Sequence, residues 1–155
     1  MALGNKKTGF TSRDRGTQVF KGLVLDGFQI PTGVSFTFAQ SATQYGTTCE
    51  IAVVDGNGNN IAGVFNLDVL LTDSATGVGV TATDPNGTVA AKAASGVVLG
   101  TLTAKKVLRV QTLATGKFTL EILDDVTPVL LYVAAALPVC KICVSRKTVA
   151  GDYKP

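Results

Sequence analysis

The chain reads as an all-β protein, an antiparallel β-sandwich preceded by an extended N-terminal arm. Three observations predict this. Short alternating apolar segments recur between clusters of Gly, Asn, Asp, Pro and Ser, at the spacing of about 8–12 residues typical of sandwiches and barrels. No long stretch carries a helical apolar period of ~3.6. The 155 residues suit one domain, which at that length buries about 70% of its unfolded surface and needs no metal or disulfide to hold a core.

Residues 1–46 stand apart from the rest, and 47–155 form the predicted sandwich domain. Within the first part, residues 1–21 hold no strand-length alternation. They carry Lys6, Lys7, Arg13, Arg15 and Lys21 against Asp14, with Gly4, Gly9 and Gly16 between them. Such a segment buries too little apolar surface to order itself and is expected to be mobile in the free protein. Residues 22–46 read as arm or first strands. Pro31-Thr-Gly33 is a turn, and Val34, Phe36 and Phe38 alternate onto one face.

From Thr47 the pattern sharpens. Cys49, Ile51 and Val53 point inward, and the Asp55–Asn60 cluster turns the chain. A strand over Val64–Thr72 places Phe65, Leu67, Val69 and Leu71 on one face. Ser74–Gly77 is a turn, Val78–Thr83 a short irregular or edge strand, and Asp84–Gly87 a type I turn by composition. Residues 88–100 are Ala- and Gly-rich without a clear pattern. Leu102–Lys106 leads into Val107–Thr112, and strands follow at 117–123, 129–137 and 139–147. Ala114-Thr-Gly116 predicts a tight hairpin with Gly in the left-handed region. That hairpin pairs Thr112 with Phe118, Val110 with Leu120 and Leu108 with Ile122, and sets Arg109 opposite Glu121 on the outside.

The composition excludes several chemistries. His and Trp are absent, so there is no Ser-His-Asp triad, no Cys-His dyad and no imidazole-bound metal. Charged residues are 16%, against about 25% in an ordinary soluble domain. Mean hydropathy is +0.33. The longest apolar run, Val129 to Cys140, is broken by Pro138 and is shorter than the about 20 residues of a spanning helix. No apolar segment follows Lys6 and Lys7, so no secretory signal is read and synthesis in a cytoplasm is expected. The excess apolar surface predicts association into an oligomer, a trimer being the expected form.

Net charge is +3, unevenly placed: residues 22–91 have six acids and no Lys or Arg, and 92–155 have nine basic groups and four acids. No nucleic-acid-binding pattern accompanies the basic groups, so neither nucleic acid nor membrane is an expected partner. Lys105, Lys106 and Arg109, and Arg146 with Lys147, read as strand-edge charges. Cys140-Lys-Ile-Cys143 has the spelling of a metal or redox motif, but only Cys49 remains as a further thiol; the cysteines are expected to be reduced fillers with no metal. Asp55-Gly-Asn-Gly begins like a calcium loop, yet the sixth and twelfth positions are Asn60 and Asn66 where an EF-hand needs Gly and Glu. Asp124 with Asp125, at a turn, and Asp68 with Asp73, around a strand end, are the candidate carboxylate pairs; adjacent acids at a turn are expected to be solvated or to cap a backbone amide. No enzyme, cofactor or small-molecule substrate is expected.

Two segments carry a resemblance. Cys49–Gly63 followed by Asn66–Asp73 resembles the opening strands of immunoglobulin-like domains, and Gln111–Asp124 is similar to their closing strands. Residues 47–150 as a whole resemble structural proteins of tailed bacteriophages, most of all the small capsid decoration (cement) proteins. This resemblance implies an immunoglobulin-like sandwich without catalytic groups, located on the virion's capsid surface and bound to the major capsid protein. It also implies an arm that grips the shell, and on the arm Lys6, Lys7, Phe10, Arg13, Arg15, Val19, Phe20 and Lys21 are the expected contacts. A tail-tube or other tail subunit, and a carbohydrate- or receptor-binding module, are the alternatives.

Overall fold

A computed structural model describes residues 24–25, 28–138 and 140–155. The strands are β1 (Val24–Leu25), β2 (Phe28–Gln29), β3 (Gly33–Gln40), β4 (Gly46–Val54), β5 (Asn66–Thr72), β6 (Val89–Ala91), β7 (Val97–Thr103), β8 (Val107–Gln111), β9 (Lys117–Leu123), β10 (Tyr132–Ala136) and β11 (Cys143–Lys147). A short 3-10 turn follows at Ala150–Asp152. Strands β3-β4-β9-β6 form a four-stranded sheet and β11-β10-β5-β8-β7 a five-stranded one. Among the described residues every pairing of these strands is antiparallel, and the two sheets pack face to face as a sandwich. β3 lies on the arm side of the expected boundary at 46/47 and pairs along its whole length with β4.

The core follows from the alternation. Cys49, Ile51 and Val53 of β4 meet Phe118, Leu120 and Ile122 of β9, with Cys49 opposite Leu120 and Ile51 opposite Phe118. From the other sheet come Leu67, Val69 and Leu71 of β5, Leu108 and Val110 of β8, and Val133 and Ala135 of β10. Each of the Val, Leu, Ile and Phe side chains among them contributes about 1.5–3 kcal/mol on full burial. Ile61, Leu131 and Leu137 close the ends.

The hairpin expected at Ala114–Gly116 does not form between β8 and β9. The local turn is present, with the Gly116 amide donating to Leu113 O and the Leu113 amide to Lys117 O, and Gly116 at φ +75°. The chain nevertheless passes from one sheet to the other there. β8 pairs with β5 and β7, and β9 with β4 and β6. Arg109 lies opposite Asp68, not Glu121, and binds it through Nε and Nη2 at 2.8 and 2.9 Å. Both arrangements bury the same apolar positions, so the alternation alone does not separate them.

A second crossing, from β4 to β5, runs beside the first. The Val53 amide donates to Gly116 O, the Ile61 amide to Val53 O and the Gly63 amide to Ala114 O. Phe65 N donates to Thr112 Oγ1, which donates to Gly63 O. Asn60 Nδ2 reaches Thr115 O.

Two other expectations change. Val78–Thr83 is not a strand. Gly77 and Gly79 hold positive φ, and Asp73 fixes the return by accepting from Thr81 Oγ1 and the Ala82 amide. This loop lies over β11, with Gly77 against Val144 and Ile142. Residues 88–100 instead supply β6 and the start of β7. The last strand begins at Cys143, and Val139 lies outside the described residues. Asp84–Gly87 is held from outside: Asn86 N donates to Asp124 Oδ1, and Lys105 Nζ donates to the Pro85 and Asn86 carbonyls.

Residues 148–155 bind back across the sandwich. Tyr153 is 2% exposed and its hydroxyl donates to Val129 O at 2.7 Å. The Lys154 amide donates to Gly46 O, and the Tyr45 amide to Lys154 O. Tyr153→Ala should cost about 3–5 kcal/mol, whereas Tyr153→Phe should cost about 1 kcal/mol; urea denaturation of both variants checks the difference. At Gly116 a Cβ would lie 1.8 Å from Ile61 O, whereas at Gly58, φ +83°, it meets nothing. Gly58→Ala should therefore lose only the left-handed penalty of about 1–2 kcal/mol, and Gly116→Ala clearly more, as a larger drop in melting temperature.

Candidate functional site

Of the adjacent acids at the 124–125 turn, Asp124 caps amides and Asp125 is exposed. Asp124 is 3% exposed; it accepts from the Asn86 and Val129 amides. Asp55 accepts from the Asn57 and Asn59 amides and Asn59 Nδ2, and these bonds, the Asn59 amide foremost, lower its pKa. The segment is a turn closing back on β4, with Gly58 N donating to Asp55 O. Asp68 and Asp73 do not converge: Asp68 is held by Arg109, and Asp73 by Ala82 N and Thr81. Of the cations read as strand-edge charges, Lys105 binds the Pro85 and Asn86 carbonyls, and Arg109 lies on the inner strand β8 and binds Asp68. Lys106 pairs with Asp84 and Lys117 with Glu50, both at 2.8 Å. Ser41 Oγ donates to Glu121.

Among the described residues Arg146 is held by both an ion pair and an aromatic ring. It binds Asp152 through both terminal nitrogens at 2.7 and 2.6 Å and stacks 4.9 Å from the Phe38 ring centroid. It therefore closes the side of the sandwich where β3 and β11 approach. The cysteines take part there too. Cys140 Sγ donates to Pro31 O at 3.0 Å, and Cys143 Sγ sits against Gly33. All three cysteines are free thiols, and burial pushes the Cys49 thiol far up. Among the described residues no three of Cys, Asp and Glu gather as metal ligands.

Two surface features among the described residues bear on binding. One is a shallow groove of about 380 Å³ over the outer face of the five-stranded sheet, lined by Asn66, Asp68, Arg109 and Ala136–Pro138. Its only cation is already satisfied by Asp68. The other is the side formed by β6 and β7, the free edges of the two sheets. From Thr88 to Ala104 the one charged residue is Lys92. Val97, Leu99 and Leu102 are 55%, 48% and 56% exposed. The ladder to β8 skips Leu99 and Leu102, so each is the extra residue of a β-bulge, which turns a side chain away from the regular pleat.

The expected arm contacts Lys6, Lys7, Phe10, Arg13, Arg15, Val19, Phe20 and Lys21 lie outside the described residues. The apolar edge was not among the sequence-based candidates. Its signal is the near absence of charge between Thr88 and Ala104, not a motif. Comparison with protein-family models, curated proteins and solved structures gives no match.

The ion pairs set a pH dependence. Hydrogen bonds from Arg146 lower the pKa of Asp152, and those from Arg109 lower that of Asp68. In the unfolded chain these carboxyls titrate near about 3.9. Their contribution is therefore present above that value and lost as pH falls through the lower folded values. Melting temperature should fall steadily below pH about 4, and Asp152→Asn should flatten that fall while lowering stability at neutral pH.

Proposed function

We propose that the protein is a non-enzymatic structural component of a tailed-bacteriophage virion that binds and stabilises the outside of the capsid. The observation that carries this reading is the division of labour among side chains. The acids and cations named above hold turns, neighbouring strands and one closed side, while the segment Thr88–Ala104 is almost uncharged and exposes Val97, Leu99 and Leu102. Such a body suits persistent contact with other proteins better than turnover of a small molecule. The sequence resemblance to decoration proteins supplies the kind of assembly.

In this reading the partner is the major capsid protein. Residues 1–21 make the attachment, with Phe10, Val19 and Phe20 as apolar anchors and Arg13 and Arg15 pairing with carboxylates of the shell. The test is to separate heads from tails of purified particles and quantify this chain in each by mass spectrometry. It should travel with heads, and heads stripped of it should rebind the full chain but bind a variant lacking residues 2–21 much more weakly. Recovery with tails, or with neither, overturns the reading; equal rebinding by the shortened variant moves the attachment to the sandwich surface.

A further inference from the structure

We propose that the β6–β7 side is the surface through which copies of this chain join one another. The edge strands differ in how they are protected. β11 carries the exposed Arg146 and Lys147, charges of the kind that discourage pairing with a second chain. β7 carries none over Val97–Thr103, yet presents Val97, Leu99 and Leu102 to solvent. Its protection is geometric: the bulges at Leu99 and Leu102 interrupt the even spacing a further strand would need. Those same bulges push the two leucines outward. β7 is therefore poorly suited to adding another strand and well suited to side-chain packing.

The occupant follows from charge. A partner presenting several charged groups here would lose hydration with one opposite charge at most in return, because residues 88–104 hold only Lys92. A second copy of the same side brings uncharged apolar residues, matching Val97, Leu99 and Leu102 with their own kind. Gly100, between the leucines, leaves open space above its α-carbon, which admits an opposing side chain. Stable interfaces bury about 1,200–2,000 Å² in total, more than one strand provides, so residues 88–96 join the contact. The inference does not depend on which larger body the protein binds.

Sedimentation velocity over a wide concentration range tests it on the full chain. The wild type should form a discrete oligomer. Leu99→Glu combined with Leu102→Glu should raise the dissociation constant by about 30-fold or more, as loss of a central apolar contact does. Both positions are exposed, so the far-UV spectrum and melting temperature should be retained. Val126→Glu, at another exposed apolar position (69%), should leave the oligomer intact. A wild type that stays monomeric overturns the proposal. So does an oligomer that survives the double change, including one that dissolves only when residues 2–21 are removed.

Discussion

Two crossings of the chain between the sheets are bound to each other, and the sandwich is organised around that bond. One crossing follows β4, the other follows β8, and they exchange amide and carbonyl groups at Gly63, Ala114 and Gly116. Thr112 joins them again through its hydroxyl. The contact is close enough that Gly116 has the Ile61 carbonyl where a side chain would begin. Each crossing delivers a strand to the opposite sheet. Their mutual position therefore fixes which faces of β4, β5, β8 and β9 look at one another, and the core register follows.

Much of this was legible from alternation. The inward residues of β4, β5, β8 and β9 were readable one strand at a time, because a period of two and a turn signal are local properties. Partner choice is not local. Leu108 and Val110 face the core whether β8 pairs with β9 or stands across from it, so the apolar pattern fits a tight hairpin equally well. The Asp68–Arg109 pair decides the matter, and it joins residues 41 apart. Val78–Thr83 alternates like a strand, but two positive-φ glycines and the Asp73 carboxylate bend it over the sheet. β6 was hidden because Ala90 and Ala91 give little strand signal. The apolar edge was missed for a related reason: reading for chemistry looks for charged and nucleophilic residues, and this surface is defined by their lack.

The sandwich is closed differently on its two sides. Where β3 meets β11, closure is by side chains: Arg146 over Phe38, Asp152 beneath the guanidinium, and Cys140 and Cys143 against Pro31 and Gly33. Where β6 meets β7, closure is covalent, because residues 92–96 carry the chain directly from one sheet edge to the other. Gly96 there sits against the Phe118 ring, at a positive φ of 128°. A covalently closed side needs no ion pair across it, which leaves that surface free of charge without loss of alignment.

The place of Tyr153 in the core has a bearing on synthesis. Translation adds about 5–20 residues each second and most chains begin folding from the first part made. Here the ring that seals the end of the core against Val129, and the backbone that pairs with Tyr45 and Gly46, are made after every strand of both sheets. Until they emerge, the apolar interior has one end open. Sealing of that end therefore follows synthesis of all the strands of both sheets, whose pairing begins around an interior still incompletely covered.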